Sequence, residues 1–338
     1  MREIGSEFWN IPICEINNNI FPIKTQWFIS GRSALQAIIA ELKEIQSVAI
    51  PSWCCDSIVK PFVDANIEVY FYPVYYKDGL IQELRFDCDV LFIMDFFGYT
   101  TLPPNLSTFK GTVIRDVTHS VLTATCTDAD YYFGSLRKWC GIWTGGYAWT
   151  QDGHKIRFEK NNDIGYISLR KIAMEMKACY MKHALEFKDN NNNKSYLQVF
   201  EKAEELLEQI GIVSASERDI LAAQKLDINF IKTQRIKNAQ ILLRAFSEQA
   251  LFPTLKSDDC PLFVPILVPH GKRDALRKYL IQRDIYCPVH WPLSNYHVLN
   301  EQTESLYRNE ISLVCDQRYT DEDMERIVDT INNFWKDN

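Results

Sequence analysis

The chain has 338 residues, 46% of them hydrophobic and 24% charged, which excludes a disordered or collagen-like polymer and supplies apolar material for more than one core. Lys and Arg number 37 against 44 Asp and Glu, and the resulting net charge of -7 argues against broad binding to nucleic acid or an anionic membrane surface. No uninterrupted apolar run approaches the roughly 18–20 residues of a membrane-spanning helix. The opening residues, MREIGSEFWNIP, carry no apolar stretch behind their basic residue, so no secretory signal is read there. The ten cysteines are thinly spread and lack any CxxC spacing. They are expected as reduced thiols of a cytoplasmic protein that uses no metal.

In chain order, residues 33–45 place Leu35, Ile38, Ile39, Leu42 and Ile45 on one helical face, with Ser30-Gly31-Arg32 just before it. The runs at 48–51, 67–74, 89–97, 112–117 and 129–135 are near-continuous in apolar and β-prone residues. That is the texture of strands covered on both faces, so a largely parallel α/β sheet is expected. From about residue 165 the texture turns helical, over 166–187, 196–210 and 216–246, with a polar loop at 189–195. Beyond Pro253 the pattern predicts a strand over 262–268, a helix over 272–283, a strand over 285–291 and a last helix over 321–335. The expected division is a large α/β domain over 1–240 and a small α+β domain over 241–338.

The stretch 112–146 holds the densest chemistry. Asp116 and His119 stand at the end of one predicted strand, Lys138 in the loop after the next, and Gly145-Gly146 close that loop. Ligands of open α/β sheets bind beyond the carboxyl ends of strands. Arg137 and the surrounding aromatic residues can depress a lysine amine as covalent catalysis requires, and an aspartate can keep a pyridoxal ring nitrogen protonated. The same residues also fit a blander account, in which Asp116 caps a helix or turn and Lys138 is solvated. Likewise, residues 30–35 suit either a phosphate at a helix N-terminus, with Arg32 and Ser33 adding a charge and a hydroxyl, or an ordinary cap. His290-Trp291 fits a substrate pocket or a packed strand end. Arg318 fits an anion site or a loop tie, and Cys54 and Cys55 fit buried thiols.

Taken in order, these segments resemble the DegT/StrS family of pyridoxal-phosphate sugar aminotransferases. The family's small-Gly-Thr-x-Ala-Leu opening reads SGRSAL at 30–35, and its Pro-led aromatic turn reads PSWCCDS at 51–57. Its Asp-x-x-His/Gln motif reads DVTH at 116–119, and its lysine loop reads SLRKWCGIWTGG at 135–146, with the family's Lys-to-Gly-Gly spacing. Residues 219–242 are similar to its helical stretch, and IYCPVHWP at 285–292 to its His-aromatic-Pro segment. The likeness runs from about residue 28 to 335.

The resemblance implies the fold type I transferase architecture, a large domain with a mostly parallel sheet plus a small α+β domain. It implies pyridoxal 5'-phosphate as cofactor, attached to Lys138, with Asp116 on the ring nitrogen and His119 near the ring hydroxyl or the lysine–cofactor linkage. Gly31, Arg32, Ser33 and Ser135 would hold the phosphate, and Trp53 would stack on the ring. His290 and Arg318 are the candidate substrate residues. The implied reaction moves an amino group from glutamate or glutamine to a keto sugar, nucleotide-linked, in a homodimer with a shared active site. For a diphosphate the candidate cations are Arg235, Arg273, Arg277, Arg283 and Arg318. Arg32 replaces the family's Thr, Ser135 stands closer to the lysine than the family's Ser, and Arg137 precedes the lysine. The family's Asn-x-Arg segment has no counterpart in 160–215. Rival readings are a pyridoxal enzyme acting on a non-sugar ketone, a dehydratase on the same scaffold, and a silent cofactor-binding regulator.

Overall fold

The computed structural model describes residues 3–16, 18–77, 79–101, 105–123, 128–159, 163–187 and 194–337, with side chains left aside at 183–187. The chain starts as an arm carrying β1 (Ile4–Gly5) and reaches the main sheet at β2 (Gln26–Phe28). α1 (Gly31–Glu41) begins where Ser30 accepts the Ser33 N–H, and it turns Leu35, Ile38 and Ile39 inward. Then come β3 (Ser47–Pro51), α2 (Asp56–Asp64), β4 (Glu68–Tyr72), β5 (Val74–Lys77), β6 (Gly79–Gln82) and β7 (Val90–Met94). β8 (Thr112–Asp116), β9 (Tyr131–Ser135), a single 3-10 turn at Leu136–Lys138 and β10 (Gly146–Thr150) complete the first half.

Seven strands form one sheet in the order β2-β10-β9-β8-β7-β3-β4. From β4 to β9 neighbouring strands are parallel, as their apolar runs predict; β7 is buried at all five positions. β10 is antiparallel to both β9 and β2. Neither of these two strands is expected from the sequence, because β10 hides behind the Gly pair and β2 is three residues long. The run predicted over 67–74 divides at Pro73, which has no N–H for a sheet ladder; β5 then folds onto β6 as a hairpin.

α3 (Ile164–Phe187) packs along α4 (Tyr196–Gln209), and α5 (Glu217–Gln224) leads to α6 (Ile228–Phe246). The single helical stretch predicted over 216–246 is two helices, since Asp227 accepts the Phe230 N–H and starts a new one. The polar loop predicted at 189–195 lies outside the described residues except for Lys194 and Ser195. The last third holds β11 (Val264–Leu267), α7 (Arg273–Ile281), β12 (Ile285–Tyr286), α8 (Glu301–Asn309), β13 (Glu310–Leu313) and α9 (Asp321–Asp337). A second hydrophobic cluster joins Leu242 and Phe246 of α6 to Val264, Leu276, Ile327 and Ile331. Ile4 of the arm belongs to the same cluster, because β1 pairs in parallel with β12. Of the strand predicted over 285–291 only the first two residues pair; the rest carries Trp291 to the cavity described next.

Candidate active site

β8 and β9 are parallel neighbours, so their carboxyl ends share one sheet edge. Asp116 is the last residue of β8, and Lys138 ends the turn that follows β9. The N-terminus of α1 is seated on the same edge, and two glycines make that seat possible. A Cβ on Gly31 would stand 3.3 Å from the Ser135 Cβ, and one on Gly146 would stand 2.0 Å from the Ser30 carbonyl oxygen. The Gly pair after the lysine and the Ser-Gly that opens α1 are therefore two halves of one joint. No side chain can intervene where a helix N-terminus faces the lysine loop.

These elements wall a cavity of about 670 Å³, within the range of small-molecule sites. Asp116, His119 and Lys138 line it together with Gly31, Arg32 and Ser135. Asp116 is 5% exposed, and burial pushes its carboxyl up to about 6 even though the Thr118 N–H donates to it at 2.8 Å and Lys138 attracts its charge. His119 accepts the Phe97 N–H on Nδ1 at 3.2 Å, which leaves the ring proton on Nε2. Burial, then the neighbouring His290 and Lys138, hold His119 neutral well below the usual imidazole range. Lys138 is exposed towards the cavity.

Other expected residues sit differently. Ser33 is buried. Its hydroxyl donates to Gly211 O at 3.0 Å and accepts the Val213 N–H at 2.9 Å, so it ties α1 to the segment before α5 instead of facing the cavity. Trp53 is fully buried outside the cavity wall. Its Nε1 donates to His290 O at 2.6 Å, and its ring lies on Phe96 at 5.3 Å and 12°. The cavity wall at that turn is made by Cys55 and Ser57; Trp291, stacked by His119 at 5.8 Å and 20°, is one of the aromatic residues that line the cavity, with Phe8, Phe133, Phe263 and Tyr286.

His290 stands behind Trp291, in a buried chain. Its N–H donates to Glu310 at 2.7 Å, its Nδ1 lies 2.8 Å from Ser312 Oγ, and that hydroxyl donates to Glu310 at 2.5 Å. Arg318 lines the cavity, but its guanidinium grips Asp316 at 2.9 and 2.8 Å and donates to the carbonyls of Glu7 and Ser6. Arg235 and Arg277 also line the cavity. Arg273 instead donates to Tyr307 O and Glu310 O, and Arg283 stacks over Tyr279. Liners outside the expected set include Glu7 on the arm, Arg170 of α3, Glu204 of α4, and Cys55. The one signal for this cluster in the sequence is the charge of Arg137 directly before Lys138.

Burial pushes Glu310 up to about 8, against the hydrogen bonds from Ser312 and His290 and the charge of Arg273. A carboxyl raised on folding stabilises the fold while it is protonated, and that contribution is lost as pH rises through its folded value. Between pH 7 and 8.5 the histidines of the site are neutral. Over this range the cofactor-free protein is expected to lose about 1 kcal/mol of stability through Glu310. Glu310→Gln should flatten that slope. Urea unfolding at the two pH values checks it, and an equal slope in the variant would assign the loss to other groups.

The residues fit pyridoxal 5'-phosphate. A buried carboxyl with a raised pKa meets the need of a protonated pyridine nitrogen. For the phosphate there is a helix N-terminus with Ser135 and Arg32 alongside, and Arg32 Nε is buried with no hydrogen-bond partner among the described residues. An exposed amine is present for the aldehyde. Among the described residues no group of His, Cys, Asp and Glu is arranged to hold a metal ion, and no helix is long and apolar enough to cross a membrane.

No family model matches the sequence, and no curated protein matches it. Solved structures do match. Helicobacter pylori PseC, an aminotransferase involved in the biosynthesis of pseudoaminic acid, is 14% identical, with 98% of this chain and 100% of that one covered at a TM-score of 0.63. A DegT/DnrJ/EryC1/StrS aminotransferase from Brucella abortus is 15% identical, covering 92% and 85% at 0.59. NtdA from Bacillus subtilis, solved with bound cofactor PMP, is 13% identical, covering 91% and 72% at 0.60. The chain has the fold of these enzymes, the fold type I α/β architecture with its large, mostly parallel sheet, as the motif order implies.

Proposed function

We propose that the protein is a pyridoxal-phosphate aminotransferase that moves an amino group from glutamate or glutamine onto a nucleotide-linked keto sugar, working as a homodimer. The observation that carries this reading is the convergence of Lys138, Asp116 and the N-terminus of α1 on one cavity. Its fold is shared with solved aminotransferases, among them one involved in the biosynthesis of pseudoaminic acid.

When bound, the cofactor supplies an aldehyde for the substrate amine and a pyridine ring that draws electrons from the reacting carbon. Lys138 Nζ would hold the cofactor and, as a free amine, would be the base that takes the proton from the substrate carbon and returns it. Asp116 keeps the proton on the ring nitrogen. His119 offers Nε2–H to the ring hydroxyl from a ring fixed by Phe97 and Trp291. The N–H groups opening α1 hold the phosphate with Arg32 and Ser135, and Gly31 lets the backbone come close. The cavity lining carries seven cationic side chains against four carboxylates although the whole chain is at -7, which supports anionic ligands.

The test is half-reaction spectroscopy. The protein is converted to its amino form with glutamate, freed of donor, and given each acceptor while the visible band is followed. A keto sugar bearing a nucleoside diphosphate is expected to restore the band, and the free keto sugar to do so poorly, because remote binding energy supports the chemical step. Recovery with small keto acids and none with a nucleotide-linked sugar would overturn the sugar assignment.

A further inference from the structure

The N-terminal arm delivers a carboxylate into the cation cluster beside Lys138. Several bonds hold the arm in place. Tyr319 Oη accepts the Gly5 N–H at 2.8 Å and donates to Gly5 O at 3.1 Å. Arg318 donates to the Ser6 and Glu7 carbonyls, and the Gly141 N–H donates to Asn10 O at 2.8 Å. From this backbone the Glu7 carboxylate reaches Arg170 at 2.7 Å. Arg170 also bonds Glu204 at 3.2 Å, and Glu204 is shared with Arg137. Burial would raise the Glu7 carboxyl, but Arg170, Arg137 and Lys138 outweigh it and hold the group down to about 2, so it stays ionised.

The two halves of this pair differ in freedom. The Arg170 side chain is 1% exposed and the Glu7 side chain 40%. The arginine is the fixed partner, and the carboxylate is the one that can leave. The Nε atoms of Arg137 and Arg170 are buried with no hydrogen-bond partner among the described residues, so the two guanidinium groups keep unused donors.

We infer that Arg137 and Arg170 form the subsite for a substrate carboxylate, and that Glu7 is its resident stand-in, yielding when an amino acid or keto acid enters. The inference rests on the aminotransferase reading. A guanidinium fork matches a carboxylate, and the group already on Arg170 is one. Arg137, Arg170 and Lys138 line one cavity and all three act on the Glu7 charge, which places this anion position on the side of the cavity where Lys138 stands. An α-amino acid carries its carboxylate on the carbon whose amino group is exchanged, whereas the diphosphate of a nucleotide-linked sugar is held away from the keto carbon by the sugar ring.

The test is calorimetric titration of the cofactor-free protein with 2-oxoglutarate and, separately, with UDP. Glu7→Gln keeps the shape and removes the internal anion, so 2-oxoglutarate should bind about tenfold tighter. Arg170→Gln should bind it about tenfold more weakly, and UDP should change far less in both. Because Arg170 is buried, Arg137→Gln, with its more accessible side chain, provides a second variant expected to weaken 2-oxoglutarate in the same way. Unchanged, weaker or unmeasurable 2-oxoglutarate binding in Glu7→Gln overturns the proposal. Tightening of UDP instead overturns it too, and would give the arginines to a diphosphate. These are equilibrium measurements without cofactor, so a failed subsite leaves the half-reaction test of the aminotransferase reading standing.

Discussion

Lys138→Ala is expected to abolish the visible absorbance of the cofactor-loaded protein and to lower turnover by a factor on the order of 10³ or more, while leaving the fold intact. The frame around the lysine does not depend on its side chain. Leu136 N–H donates to Gly145 O at 2.8 Å, and Trp139 Nε1 donates to Thr118 O at 2.7 Å, so backbone and indole fix the turn. The amine itself faces the cavity. Substitution of an exposed side chain in such a frame changes stability by roughly 0.5 kcal/mol or less, so a lost reaction would report chemistry and not unfolding. Borohydride reduction followed by peptide mapping gives the direct check, with the pyridoxyl group expected on the peptide that spans Lys138. Label on another lysine would move the assignment. Lys177 is the instructive comparison, since it is fully buried and paired with Glu3, where an aldehyde has no access.

What could be read from the sequence divides along a physical line. β3, β7, β8 and β9 are legible because strands buried on both faces write themselves as apolar runs. Asp116 and Lys138 are legible because one ends such a run and the other comes just after the next, where a parallel sheet collects its ligands. Side-chain direction is a different matter. Ser33 belongs to the motif that opens α1, yet it lies on the helix face turned to residues 211–213, and nothing in SGRSAL announces that neighbour. Trp53 is the aromatic residue of its turn, but the turn sends Cys55 to the cavity and the indole to the core. Glu7 and Arg170 were out of reach for another reason. Their meeting depends on an arm that pairs with β12, some 280 residues away in the chain, through a strand of two residues that leaves no periodic signature. Local pattern records what an element buries, and it carries little about which distant element arrives opposite.

Asp116→Asn should separate stability from function, moving the two in opposite directions. The wild-type carboxyl is buried and pushed up to about 6, so at pH 7 the cofactor-free fold holds an ionised group that burial disfavours. By linkage, a carboxyl raised on folding stabilises the protein below its unfolded value, and the contribution fades as pH rises through about 6. The amide has no charge to bury, so the cofactor-free variant is expected to be no less stable than the parent at pH 7. With cofactor the balance reverses. A carboxylate against a pyridinium is a charge-assisted hydrogen bond worth roughly 1.5–3 kcal/mol, so affinity should fall about 10- to 100-fold. Asn cannot keep the proton on the ring nitrogen, and turnover of the reloaded enzyme should fall by a factor on the order of 10²–10⁴. The pH dependence gives a second signature. Below about 6 the free carboxyl holds its own proton and must release it to accept the ring, so wild-type cofactor affinity should drop as pH falls through that point. The variant should lack the step. Cofactor titrations at pH 5 and 7.5, with denaturant unfolding of both cofactor-free proteins, decide the matter. Near-normal turnover, or the same step in the variant, would mean that some other group supports the ring nitrogen and that burial of Asp116 serves the fold alone.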